Sequence, residues 1–247
     1  MYRTLDAAKI IATIDHLKAR VDERFAGSGL TGVAKDLSTT ALDTQKKALT
    51  LAKPIWGVRL LPSLLVAACV GIALLIANSL GAANPSPTRP NFEPTNLLQP
   101  LEDTINTIGL AGAAILFLAT VERRIKRHRA LRALHQLRSL IHVIDMHQLT
   151  KDPSLLLRVA HSTATSTSPK RTLSPFELGR YLDYCSEMLS LTGKVAALYA
   201  QDFDDSVAIE AVNDLEMFAT NLSRKIWQKT AILQVALQDA EGAGAVS

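Results

Sequence analysis

Residues 104–148 read TINTIGLAGAAILFLATVERRIKRHRALRALHQLRSLIHVIDMHQ, and this stretch decides the fold that we predict for the chain. Its first 18 residues, 104–121, contain no charged side chain. The remainder is rich in arginine and contains no glycine or proline that would end a helix. Leucine and isoleucine recur there in steps of three and four residues, as in a helix with one buried face. The stretch therefore predicts one continuous helix, apolar all round in its first part and amphipathic afterwards.

A second uncharged block, residues 60–80, reads LLPSLLVAACVGIALLIANSL and has 21 residues. A helix needs about 20 apolar residues to cross the hydrocarbon core of a bilayer. With 18 residues, 104–121 is near the lower limit of that length. Neither block has the polar stripe of a helix that lies in the core of a soluble protein. We therefore predict two transmembrane helices, 58–81 and 104–121, that form a hairpin.

The residues on either side of this hairpin predict its orientation. The connection, 82–103, contains five prolines and is predicted to be an extended loop outside the cytoplasm. Basic residues concentrate on the opposite side, which by the positive-inside rule is the cytoplasm. Both ends of the chain are therefore expected in the cytoplasm and the hairpin in a membrane, most simply a bacterial inner membrane. The basic residues that we expect at the lipid headgroups are Lys53, Arg59, Arg123, Arg124, Lys126, Arg127 and Arg129.

Everything outside the hairpin is predicted to be helical and cytoplasmic. Helices are expected in 1–57, in 122–149 as a continuation of the second transmembrane helix, and in a hairpin over 175–240. Residues 150–174 are predicted to be a mobile linker and 241–247 a disordered tail. The overall prediction is an all-α membrane protein whose cytoplasmic part is an antiparallel, coiled-coil-like helical bundle.

Two apolar seams define the predicted hairpin 175–240. Each advances in alternating steps of three and four residues, which is the pattern of neighbouring helices that pack along a 3.5-residue repeat. Ser174, Pro175 and Glu177 form the start signal of its first helix. The first seam is Leu178, Leu182, Cys185, Leu189, Thr192, Ala196 and Tyr199, and the second is Val212, Leu215, Ala219, Leu222, Ile226, Lys229 and Leu233.

One histidine pattern is compatible with a metal site. His135 and His142 are seven residues apart on one helix face, and Asp145 follows three residues later. Imidazole and carboxylate at such spacing are able to bind zinc. The alternative is a polar face at a helix interface, which the lack of further nearby ligands favours. The sequence contains no phosphate-binding loop, nucleophile elbow or other catalytic motif, so we expect no cofactor and it indicates no small-molecule substrate.

Arg224, Lys225, Trp227 and Lys229 place three cations and an indole on one helical segment. Such a group could bind a protein partner or a membrane surface, and the alternative is a solvated face with the tryptophan at a bundle edge. The arginine-rich run after residue 122 is explained by topology and lipid contact, so no nucleic acid is expected to bind it.

Three functional hypotheses remain open. The first is a non-enzymatic membrane anchor whose cytoplasmic bundle binds a protein partner or a second copy of itself. The second is an oligomeric, membrane-perturbing or pore-forming effector gated by the bundle, because both transmembrane helices are rich in glycine and alanine. The third is a metal-dependent enzyme that uses His135, His142 and Asp145.

Overall fold

The computed structural model describes residues 4–57, 95–153, 173–201 and 203–244, together with 60, 64, 66–68, 70, 71, 74, 75 and 78. Every regular element formed by these residues is helical, and none of them belongs to a strand. The all-α class predicted from the sequence is therefore confirmed.

Within that described part, five helices have defined bounds: α1 Ala7–Arg24, α2 Gly29–Ala52, α3 Thr95–Leu149, α4 Pro175–Gln201 and α5 Ser206–Gly244. The residues described between 56 and 78 are helical as well. The chain divides into two compact units. We call Met1–Ala52 with Arg127–Ser247 the bundle, and Lys53–Lys126 the 53–126 unit. Helix α3 contributes residues to both.

Helix α4 is the central helix of the bundle, because fourteen of its 27 residues are buried. Leu182, Met188 and Leu189 are completely enclosed, and even Tyr184 and Tyr199 lie in the core. The helix packs against α1, α2 and α5. Burial of this many apolar side chains provides the main driving force for the fold of the bundle.

The part of α3 after Arg127 forms another wall of the bundle. Leu134, Leu137, Ile141 and Ile144, the face predicted from their spacing, are all buried. This part of α3 runs in the same direction as α5, since three contacts follow the same order along both helices. These contacts are Arg127 with Asp205, His142 with Phe218, and Gln148 with Lys229.

The two predicted seams lie where α4 and α5 pack together. All seven residues of the first seam are buried, as are six of the seven residues of the second. Lys229 is the exception and is partly exposed. The helices are antiparallel, because Gly179 near the start of α4 lies close to Leu233 near the end of α5. The predicted helical hairpin is therefore present, with α5 continuing to Gly244.

Local signals in the sequence begin and end these helices. The Asp6 carboxylate accepts hydrogen bonds from the amides of Ala8 and Lys9 and caps α1. Gly27 has a φ of 71°, a left-handed conformation that favours glycine, and it turns the chain from α1 into α2. At the start of α4, Ser174 and Glu177 form a reciprocal capping box.

The 53–126 unit carries the predicted transmembrane helices, which are only partly described. Glu122 is buried, accepts a hydrogen bond from the Ile55 amide at 3.2 Å and pairs with Lys126 at 3.1 Å. Among the described residues, no helix combines the length and the apolar character that crossing a membrane requires. Much of 58–81 falls outside those residues, and the transmembrane hairpin stays a prediction from the sequence.

Two predicted boundaries differ from the observed ones. Helix α3 begins at Thr95, so 95–103 is helical instead of part of the extended loop. Pro100 is the single proline in 95–103 and removes only one backbone hydrogen bond. The other four prolines of the predicted loop all precede Thr95. The helix α5 reaches Gly244, so 241–244 is helical instead of a disordered tail. Residues 82–94 and most of the linker, 154–172, lie outside the described residues.

Candidate interaction surface

The side of α5 that points away from the buried seam carries a second row of residues. Like the seam, this row advances in alternating steps of four and three, so it follows one face of the helix. Every member is exposed to solvent. We call this row the outer stripe, and it consists of Glu210, Asp214, Met217, Asn221, Arg224, Gln228, Ala231 and Val235.

Large apolar side chains lie on and beside the outer stripe. Trp227 is 74% exposed, Met217 58% and Val235 54%, and Ile232 lies beside them. An indole with this much exposed area is unusual on a surface that faces only water, because burying it would be favourable by about 2–3 kcal/mol. Trp227, Ala231 and Val235 follow one another in steps of four and lie next to each other, whereas Met217 is ten residues away from Trp227. Neighbouring exposed apolar side chains are typical of an interaction site.

The predicted group of three cations and Trp227 on α5 is divided between the surface and the interior. Arg224, Lys225 and Trp227 are exposed, but Lys229 points into the bundle. The Lys229 ammonium donates a hydrogen bond to the carbonyl oxygen of Gln148 at 2.8 Å and approaches that of Lys151 at 3.5 Å. A cation at the end of α3 satisfies helix carbonyls and complements the helix dipole. Lys229 thus caps the end of α3.

A polar cluster surrounds this Lys229 cap. Burial lowers the pKa of Lys229, and the carboxylates of Asp152 and Asp145 partly offset that effect. Burial also raises the pKa of the nearby Tyr181 hydroxyl and raises that of the Cys185 thiol to about 12. Both groups are therefore protonated at neutral pH, and a protonated thiol is not a nucleophile. The cluster fits a structural role better than covalent catalysis.

The candidate metal ligands do not converge on a common point. His135 and His142 are both exposed, and the His142 ring contacts the Phe218 ring at a tilt of 52°, with a centroid distance of 4.9 Å. The Asp145 carboxylate accepts a hydrogen bond from Gln148 Nε2 at 2.6 Å. In the described part of the chain, no three His, Cys, Asp or Glu side chains are arranged to hold a metal ion. The alternative of a polar helix face accounts for the histidine spacing.

The residues predicted at lipid headgroups divide into exposed and paired side chains. Lys53, Arg123, Arg124 and Arg129 are exposed. Lys126 is nearly buried and pairs with Glu122, and Arg127 pairs with Asp205. Arg59 lies outside the described residues. The exposed residues remain available for lipid contact, and the pairing of Arg127 with Asp205 was not predicted.

Arg127 and Asp205 form the most complete ion pair among the described residues. Arg127 Nε lies 2.9 Å from Asp205 Oδ2 and Nη2 lies 2.7 Å from the same oxygen. The buried Asp205 also caps α5 through the amide of Ala208 at 3.1 Å. Burial would raise the pKa of Asp205, but the hydrogen bonds from Arg127 and Ala208 outweigh it and lower that pKa below its ordinary value.

A second unpredicted feature is a surface cavity of about 390 Å³ between α1 and α4, lined by Arg20, Glu23, Arg24, Arg180 and Tyr184. The guanidinium carbons of Arg20 and Arg180 lie 5.6 and 5.1 Å from the centre of the buried Tyr184 ring. Arg20 pairs with Glu187 and Arg180 with Asp183. These ion pairs neutralise most of the positive charge, so the cavity lacks the uncompensated charge of an anion site.

The outer stripe of α5 is therefore the surface that the structure marks most clearly for recognition. Comparison of the chain with protein-family models, with curated proteins and with solved structures finds no match.

Proposed function

We propose that this chain is a non-enzymatic membrane anchor: 58–81 and 104–121 cross the membrane, and a cytoplasmic bundle binds a protein through the outer stripe of α5. The observation that carries the proposal is the exposure of Trp227, Met217 and Val235 on a helix whose opposite face is buried. Aromatic and methionine side chains are enriched in protein interfaces, and a central tryptophan frequently provides much of the binding energy.

The membrane part of the proposal is supported by the 53–126 unit. Leu75, Leu110, Leu116 and Phe117 are between 67% and 75% exposed there. Exposed apolar surface of this kind is unfavourable in water and is normally covered by lipid or by protein. The absence of charged side chains from 60–80 and 104–121 and the basic residues beside them favour lipid, with both chain ends in the cytoplasm.

Affinity purification of the tagged full chain from native membranes tests the interaction. We expect a protein that co-purifies in fixed proportion with the wild type and is lost from the variant Met217→Ser with Trp227→Ser. The control is Met146→Ser, because Met146 is 67% exposed on α3 and lies on another helix. It removes a comparable side chain without changing the outer stripe.

Two results would contradict the proposed interaction. One is a wild-type sample that contains no second protein and no second copy of the chain. The other is a partner that both variants retain equally, since binding would then depend on another surface. Circular dichroism of each variant establishes that it remains folded.

One observation favours the oligomeric pore as a second candidate function. A Cβ added at Gly71, Gly109 or Gly112 would meet no atom within 4 Å, so the helix surface at these glycines is open. Small residues allow helices of neighbouring copies to approach closely in a membrane. Leakage of dye from liposomes that contain the purified chain, abolished by Gly112→Leu, would support a pore. Vesicles that stay tight at every protein density would eliminate it.

A further inference from the structure

We propose that the partner of the outer stripe is a second copy of this chain, and that the two α5 helices pair antiparallel along their stripes. This inference rests on the proposed function, because it identifies the occupant of the same surface. It is carried by the distribution of charge along the stripe.

The outer stripe is acidic in its first half and basic in its second. Glu210 and Asp214 are exposed before Met217, whereas Arg224 and the neighbouring Lys225 are exposed after it. None of these four side chains has an ion-pair partner within the described part of the chain. A surface with opposite charges at its two ends is complementary to itself once one copy is reversed.

In an antiparallel pair, the acidic half of the stripe in one copy faces the basic half of the stripe in the other. When Asp214 of one copy faces Arg224 of the other, Met217 faces Asn221 and Glu210 faces Gln228. By the two-fold symmetry of an isologous pair, each of these contacts occurs twice. The steps of four and three along the stripe are those of helices that pack side by side over several turns.

The apolar residues fit the same arrangement. The exposed Trp227 lies beside the stripe, at the edge of such a pair and not between the two helices. Ala231 lies opposite Val207, whose side chain is 39% exposed. The pair would thus bring Met217, Ala231 and Val207 of each copy against the other copy, with charged pairs beside them.

Other occupants fit the stripe less well. A parallel second copy would place Asp214 against Asp214 and Arg224 against Arg224, so like charges would face each other. An anionic membrane surface would attract Arg224 and Lys225 but repel Glu210 and Asp214. An uninterrupted basic or acidic partner would meet repulsion along half of the stripe.

Charge reversal in the full chain, purified in detergent micelles, tests the pairing. One variant, Arg224→Glu with Lys225→Glu, makes the stripe acidic throughout, and another, Glu210→Lys with Asp214→Lys, makes it basic throughout. Sedimentation equilibrium of the wild type is expected to give dimers. Each variant alone should dimerise at least tenfold more weakly, and an equimolar mixture of the two should recover dimers.

A control variant, Lys35→Glu with Lys46→Glu, changes net charge by the same amount as the first variant on exposed positions of α2. It should dimerise as the wild type does. A parallel dimer would lose little affinity in the single variants, because like charges would only replace like charges, and that result would overturn the antiparallel arrangement.

Further outcomes separate the possible occupants. A wild type that remains monomeric overturns the self-pairing. If it also binds vesicles of anionic phospholipid through Arg224 and Lys225, the occupant is a lipid surface. If a different protein co-purifies from native membranes and is lost with Trp227→Ser, the self-pairing fails while the proposed function stands.

Discussion

Replacing Leu137 with alanine should destabilise the bundle strongly, whereas the same replacement at Leu149 should not. Both leucines lie on α3, but Leu137 is 0% exposed and Leu149 is 60% exposed. The substitution removes three carbon atoms from each side chain. At about 0.8 kcal/mol for each buried carbon, the transfer contribution at Leu137 is about 2.4 kcal/mol.

The cavity left at Leu137 adds to this loss, so we expect the free energy of unfolding to fall by about 3–5 kcal/mol. For a unit of this size, that corresponds to a melting temperature lower by roughly 6–20 °C. Leu149→Ala should lower the free energy of unfolding by less than about 1 kcal/mol, because most of its side chain already contacts solvent.

Urea unfolding followed by circular dichroism at fixed detergent concentration measures both variants against the wild type. The two leucines share a helix and undergo the same chemical change, so their difference isolates burial in the bundle. Equal, small effects at both positions would refute the conclusion that α3 supplies part of the bundle core.

Three further predictions concern single positions. The folded pKa of Asp205 is depressed, so its contribution to stability is fully present above its unfolded pKa of about 3.9 and is lost as the pH falls through the folded pKa. Unfolding curves of Asp205→Asn at several pH values should lack this acid dependence. Gly29→Ala should lower the melting temperature, because the new Cβ would overlap the His147 ring, and His147→Ala should relieve that loss. In a Cys69→Ser background, Cys185 should react with a maleimide only after unfolding, since its thiol is buried and protonated at neutral pH; rapid labelling of the folded protein would contradict this.

The helical hairpin and the caps could be predicted because their signals are local. A seam needs only the spacing of residues such as Leu182 and Cys185 along one helix. A capping box needs only Ser174 and Glu177, three residues apart. The structure confirms the predicted seams, the predicted capping box and the predicted buried face of α3.

Contacts between distant residues could not be predicted in the same way. Arg127 and Asp205 are 78 positions apart, and beside an apolar block an arginine is equally compatible with a lipid headgroup. Lys229 was predicted in the seam and in the group with Arg224, Lys225 and Trp227, and its capping role was not predicted, because the carbonyl groups that it caps belong to another helix. Only the packing of α3 beside α5 brings these groups together.

The outer stripe of α5 shows why a surface is harder to predict than a core. Its residues follow the same 3.5-residue repeat as the seam, but the stripe mixes Met217 and Val235 with charged and amide side chains. Periodicity of hydrophobicity alone therefore misses it. The exposure of Met217 and Val235 on the stripe, and of Trp227 beside it, identifies this side of the helix.

The central claim, that 58–81 and 104–121 hold the bundle at a membrane, is tested most directly by alkaline carbonate extraction of native membranes. This treatment releases peripheral proteins and leaves transmembrane proteins in the lipid pellet. The account predicts that the full chain remains in the pellet, and that Leu116→Arg, which places a charge in the second predicted transmembrane helix, weakens that retention. Complete release of the wild-type chain into the supernatant would contradict the account.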